Sequence, residues 1–179
     1  MSKTLLQAAT ALSTLLAACA HEPIQLHNEL SWDASSLQQT SSCNFSVAGV
    51  SNLGLATDQM GTIGGSPVLA SDVASWVHSA FEQIHGYSPQ AQGLSLDVEI
   101  VRAYLHSLSI SKSANVVVRV NYSRSAQVLA SRIYRGADTS MNWANGDFEM
   151  QNAFNRALKD MAQQVATDLG QFCPGAPSL

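Results

Sequence analysis

Apolar and polar residues alternate with a period of two through the middle of the chain. From Leu94 to Ile110 a series of apolar side chains falls on even positions, and polar ones such as Asp97 and Glu99 fall on odd positions. This alternation is typical of a half-buried strand. It recurs over 116–122, and after a hairpin turn predicted at 123–126 a returning strand is expected over 128–139. A further strand is predicted at about 43–51, and Ile24 and Leu26 permit a short edge strand.

Two other segments repeat their apolar residues with a helical period. They span about 72–85, where Ser71 is the expected N-cap, and about 147–172, where Asp147 is the expected cap. The order β-α-β-β-β-α predicts an α+β fold: a mainly antiparallel sheet of three to four strands, with both helices packed on one face. The predicted core joins Trp76, Phe81, Phe154, Leu158 and Met161 of the helices to Leu96, Val98, Ile100, Val118 and Val120 of the strands.

The N-terminal segment combines Lys3, a short apolar run and the sequence Leu16-Ala17-Ala18-Cys19. It resembles the lipobox of bacterial lipoproteins. This resemblance implies a signal peptide at 1–18, cleavage before Cys19, and acylation of that residue with chains such as palmitate. The bilayer is then a partner through Cys19. Ala20, where Asp would favour inner-membrane retention, implies the periplasmic face of the outer membrane. We expect a lipidated tether at 19–42, a single domain at 43–173 and a tail at 174–179.

Two cysteines remain once Cys19 is assigned to the anchor. In an oxidising compartment, Cys43 and Cys173 are expected to form a disulfide. In the chain-entropy model, closing a loop of about 130 residues stabilises a protein by up to about 5 kcal/mol. A reactive redox pair is the alternative, although no Cys-x-x-Cys spacing favours it.

The low charge of the chain excludes one class of partner. Charged residues make up 12% of it, about half the usual share, and its net charge is −4. Nucleic-acid binding needs a basic face, so no nucleic-acid partner is expected. The same balance argues against anchoring through anionic lipid headgroups.

No arrangement of residues predicts catalysis, a metal or a cofactor. His78 and His85 lie two helical turns apart, too far to chelate one ion without a third element. Ser66 is followed by Pro67, which excludes a nucleophile elbow. Asp97 and Glu99 have a spacing that an inverting glycosidase would use, but the solvent face of a strand explains them better.

Arg102 and His106 occupy even positions of the long strand, the positions that carry its apolar side chains, and they lie on either side of Tyr104. An unpaired charge on a core face is costly. Either the sheet projects beyond its helices at this point, or these residues form the floor of a polar groove.

The glycine-rich stretch 52–67 is predicted to be a mobile loop. This loop or an exposed sheet edge is expected to dock a partner.

Three segments are similar to the YajG family of bacterial lipoproteins over roughly 43–169. They are the helix ending in Gly86-Tyr87, the strand 96–100 and the helix 152–169. The resemblance implies no activity and carries over no catalytic residue. We therefore expect a non-enzymatic binding or assembly lipoprotein with an unidentified envelope protein as partner. A ligand-binding accessory subunit of lipid or lipopolysaccharide transport is the alternative, ahead of an envelope hydrolase.

Overall fold

The computed structural model describes residues 21–37, 43–53, 59–143 and 146–173. The predicted signal peptide, Cys19, Ala20 and the tail at 174–179 lie outside these residues. Short 3-10 helices occupy Ala34–Ser36 and Gly170–Phe172. The main elements are β1 (Ile24–Leu26), β2 (Phe45–Asn52), β3 (Gln59–Ile63), β4 (Ser66–Ala70), α1 (Val73–Glu82), β5 (Leu94–Ser107), β6 (Ser111–Arg124), β7 (Gln127–Met141) and α2 (Asp147–Leu169).

A four-stranded sheet in the order β2-β5-β6-β7 forms the centre of the fold. β5, β6 and β7 pair antiparallel, whereas β2 pairs parallel with β5. A parallel pair needs a long crossover connection. Here the crossover contains β3, β4 and α1. The predicted α+β class with a mainly antiparallel sheet is confirmed.

A second sheet, in the order β1-β4-β3, corrects two predictions. The stretch 52–67 is not simply a loop, because its later part forms β3 and begins β4. Gly64 and Gly65 join these strands with positive φ angles of 57° and 90°, as a two-residue hairpin turn requires. The short edge strand permitted at Ile24 and Leu26 is present as β1; it pairs with β4 and both residues are buried, so the tether predicted at 19–42 is also too long.

Both helices pack on one face of the main sheet, and all ten predicted core residues are buried. α2 lies close against β7 because residue 136 is a glycine. A Cβ at Gly136 would lie 1.9 Å from the carbonyl oxygen of Ala157 and 2.7 Å from Cβ of Met161. Contacts under 3.0 Å force something to move, so any larger residue here would push the helix away.

The ends of several elements differ from the predictions. Asp72, not Ser71, caps α1, because its carboxylate accepts a hydrogen bond from the backbone N–H of Ser75. Gly146 precedes α2, so Asp147 lies in the first turn, where its charge favours the helix dipole. The connection between β5 and β6 comes before Ser111, where β6 begins.

The disulfide between Cys43 and Cys173 is present, as predicted. Its sulfur atoms are 2.01 Å apart and the two Cα atoms 5.6 Å apart. The bond joins the segment before β2 to the segment after α2, across 130 positions of sequence. Within the described ranges, none of the helices is both long enough and apolar enough to cross a bilayer.

Candidate binding surface

A β-bulge in β5 reverses which residues face the core. The register with β6 shifts between Ile100 and Arg102, so one residue of β5 is left unpaired. Before the bulge the even residues are buried, and after it Ala103 and Leu105 are buried instead. This overturns the placement of Arg102, Tyr104 and His106 on the core face. Neither a projecting sheet nor a groove on that face is needed to accommodate their polar groups.

The bulge places these side chains on the sheet face that neither helix covers. In the cross-strand register, Arg102 lies opposite Val117, and Val117 lies opposite Arg135. The two arginines are therefore about 10 Å apart at their backbones, twice the spacing between neighbouring strands. Directly paired residues share a face, so all of these side chains project from one surface. We call Arg102, Tyr104, His106, Asn115 and Arg135 the arginine face.

Both arginines of this face are held by contacts that leave their charge uncompensated. The guanidinium carbon of Arg102 lies 4.6 Å from the ring centre of Tyr104. Arg135 donates from Nε and Nη2 to Oδ1 of the buried Asn115, at 3.2 and 2.6 Å. Among the described residues, no carboxylate lies within ion-pair distance of either arginine.

A neighbouring arginine on the same face provides a contrast. Arg119 pairs with Glu99 across the strands, with Nη1 and Oε2 2.6 Å apart. Glu99 is therefore one half of an ion pair, and Asp97 is exposed on the same solvent face. The interpretation of both carboxylates as solvent-face residues agrees with this placement.

Next to the arginine face, apolar side chains are exposed at the end of the main sheet. They come from the β5–β6 connection, from the end of β7 and from the start of α2. The backbone N–H of Asn142 donates to the carbonyl of Ile110 at 3.0 Å, which holds the first two segments together. We call this group the apolar tip; its members are Leu108, Ile110, Met141, Trp143 and Phe148, each more than half exposed.

A buried lysine lies beneath the apolar tip. The ammonium of Lys112 donates to the carbonyl of Met141 at 3.0 Å and pairs with the carboxylate of Glu149. Lys112 is 1% exposed, so this pairing compensates a charge that would otherwise be costly to bury. It ties β6, the end of β7 and the first turn of α2 to one another.

The free edge of β7 is partly blocked by α2. Oδ2 of Asp160 accepts from the backbone N–H of Ala137 at 3.0 Å, and Nε2 of Gln164 donates to the carbonyl of Arg135 at 2.8 Å. These bonds occupy backbone groups that an added strand would need. Docking of a partner strand on the middle of this edge is therefore disfavoured.

A hydrogen-bonded tyrosine pair lies at the other end of the sheet. The hydroxyls of Tyr122 and Tyr134 are 2.7 Å apart, and Tyr134 donates to Asp168 at 2.9 Å. Burial raises the pKa of Tyr122 and raises that of Tyr134 to about 12. Both phenols stay protonated at neutral pH, so neither serves as a base. The ring of Phe172 stacks on Tyr122 at 4.1 Å, which fixes the segment that carries Cys173.

The other candidate residues are dispersed. Nδ1 of His78 lies 3.5 Å from Oε1 of Glu82 on the same helix, and His85 is exposed beyond the end of α1. Ser66 begins β4. Within the described part of the chain, no group of three His, Cys, Asp or Glu side chains is arranged to hold a metal ion.

Sequence patterns missed both the arginine face as a joint surface and the apolar tip. Arg135 is one of several arginines on the last two strands, and only the strand register brings it to Asn115 and into line with Arg102. Their even positions place Leu108 and Ile110 on the predicted apolar face of the long strand, whereas both side chains are exposed. The signal that could have separated Leu108 and Ile110 from the buried residues of the strand was the interruption of strict alternation at Arg102.

Known proteins resemble this chain in fold and not in sequence. No protein-family model matches it. No similar curated protein is found. A crystal structure of an uncharacterized protein matches with a TM-score of 0.52 and 10% identity, covering 83% of this chain and 99% of that one. This likeness shows the fold alone.

Two further crystal structures have lower TM-scores. A DUF330 protein from Xanthomonas campestris has a TM-score of 0.46 and 19% identity, over 83% of this chain and 91% of that one. A minor lipoprotein from Acinetobacter baumannii has a TM-score of 0.43 and 12% identity, over 72% of this chain and 90% of that one. The YajG family is not named among these three, and that resemblance stays a prediction.

Proposed function

We propose that this chain is a lipoprotein held at the periplasmic face of the outer membrane by acylated Cys19. In this proposal it acts as a non-enzymatic binding module, and its arginine face binds an acidic segment of another envelope protein. The observation that carries the proposal is the pair Arg102 and Arg135, held in register on a sheet face that neither helix covers and, among the described residues, without a carboxylate partner.

The chemistry of arginine supports an acidic partner. A guanidinium presents N–H donors in a planar fork that matches the two oxygens of a carboxylate. Stacking on Tyr104 and bonding to Asn115 restrict the two side chains before a partner arrives. Less side-chain freedom is then lost on binding. Because exposed charges are screened by salt, binding through this face should weaken as ionic strength rises.

Site-specific crosslinking in native membranes tests the arginine face. A photoreactive residue at Val117, between the two arginines, should capture a protein, whereas one at Ser75 on α1 should not. The double substitution Arg102→Gln and Arg135→Gln should remove the crosslink. Arg156→Gln is the matched control, because this arginine of α2 already pairs with Asp138. Undiminished capture by the double variant would contradict the proposal.

The anchor is tested separately from the binding face. Metabolic labelling with a palmitate analogue should mark the parent chain and not Cys19→Ala. Density fractionation of the membranes then decides between the outer and the inner membrane. Lipid that copurifies with the chain in fixed proportion would instead favour the accessory subunit of lipid transport.

A further inference from the structure

The apolar tip exposes more aromatic surface than a solvated loop needs. Trp143 and Phe148 are 83% and 81% exposed, the highest values among the large apolar residues described. Contiguous exposed apolar patches mark interaction sites. Trp and Phe at the edge of a folded domain are typical of residues that enter the headgroup region of a bilayer.

The position of the predicted lipid anchor brings this tip close to a membrane. A single residue separates Cys19 from His21, where the described fold begins. A Cβ at Gly65 would lie 3.2 Å from the ring of His21, and Ile24 is buried just beyond. Two residues of chain reach at most about 7 Å. A lipid on Cys19 would therefore hold the folded domain directly against the bilayer, without the long spacer expected at 19–42.

The same segment leads from the anchor towards the tip. The backbone N–H of His27 donates to Oε1 of Gln151 at 2.8 Å, and Gln151 lies one helical turn beyond Phe148. Six residues connect His21 to His27, so these two positions are at most about 20 Å apart. Trp143 and Phe148 are thus within reach of the surface to which Cys19 is attached.

We propose that the apolar tip inserts into the headgroup region of the bilayer that carries the acylated Cys19. This proposal rests on the lipid anchor proposed above. The anchor supplies a high local concentration, so an insertion that is weak by itself is sufficient. Insertion fixes the orientation of the domain and keeps the neighbouring arginine face at a defined height above the membrane.

Fluorescence of the acylated full chain tests the insertion. The chain is reconstituted into vesicles of phosphatidylethanolamine and phosphatidylglycerol that carry bromine on their acyl chains. Trp76 is buried and the indole of Trp32 is hydrogen-bonded within the fold, so the difference between parent and Trp143→Phe isolates Trp143. We expect Trp143 to lose at least about half of its emission to the brominated lipid, as an indole at the depth of an interfacial anchor would.

Two apolar-to-acidic substitutions provide the matched comparison. Phe148→Asp should reduce the quenching of Trp143, because it puts a charge on the inserted surface. Val128→Asp should leave it unchanged, because Val128 is 63% exposed but lies at the opposite end of β7.

The possible failures can be told apart. Unquenched Trp143 on a chain with a labelled Cys19 overturns the insertion and leaves the anchor standing. Capture of a protein partner or of a second copy by a photoreactive residue at position 143 also overturns it. An unlabelled Cys19 refutes the anchor, and the insertion falls with it.

Discussion

Replacing Gly136 by alanine should separate α2 from β7. The new Cβ would lie 1.9 Å from the carbonyl oxygen of Ala157, so the helix must retreat by about 1.5 Å to reach ordinary contact. Overpacking of this kind costs about 2 kcal/mol. The retreat also stretches the bonds from Asp160 and Gln164 to β7, each worth about 1 kcal/mol. We expect a total loss of about 4 kcal/mol from a stability that is typically 5–15 kcal/mol.

Urea unfolding of the purified protein measures this loss. At a slope of about 2 kcal/mol per molar, the midpoint should fall by about 2 M. Gly49→Ala is the control, because a Cβ at Gly49 meets nothing within 4 Å, and its cost should be about 0.5 kcal/mol or less. If the free energy of unfolding of Gly136→Ala lies within about 1 kcal/mol of the parent value, the close approach of α2 to β7 is wrong.

Three further measurements address the core, the tyrosines and the disulfide. In urea melts, Phe154→Ala should cost about 3–5 kcal/mol because its ring is fully buried, and Asp97→Ala about 0.5 kcal/mol or less; the reverse order would contradict the assigned faces. Because the folded pKa of Tyr134 is raised to about 12, its contribution to stability is full below pH 10 and is lost as the pH rises from about 10 towards 12. Tyr134→Phe should make the loss of stability between pH 10 and about 12 less steep. An unchanged loss would mean that other groups cause it. Thiol alkylation of the unfolded, unreduced protein should leave Cys43 and Cys173 unmodified, and replacing both with Ser should cost about 2–5 kcal/mol.

The elements that local periodicity determines were predictable. The helical stripes placed Phe154 and Leu158 in the core, and strand alternation did the same for Val98 and Val118. The hairpin after Arg124 was also predicted. There Ser125 and Ala126 adopt positive φ angles, although neither is a glycine. In each case the signal lies within a few neighbouring residues and does not depend on distant contacts.

The features that depend on distant contacts were not predictable from the pattern. The bulge after Ile100 reverses the parity of β5; Arg102 interrupts the alternation at an even position, but the pattern alone does not show that an unpaired residue is the cause. The sequence permits the short strand at Ile24 and Leu26, but its pairing with β4 joins segments that are far apart in the chain. The role of Gly136 cannot be recognised from β7 alone, because it depends on the packing of α2 against that strand. The arginine face needed the register of three strands, so no local window contained it.

Under the export proposed above, in which the amino terminus leaves first, the disulfide sets an order of events. Cys43 reaches the oxidising side early, and its partner follows 130 positions later. During that interval the first thiol is available to foreign thiols and oxidants, and no native bond can protect it. Closing the native bond is therefore among the last covalent steps of maturation. Delayed export should accumulate mixed disulfides at Cys43, and an exchange catalyst would be needed to resolve them.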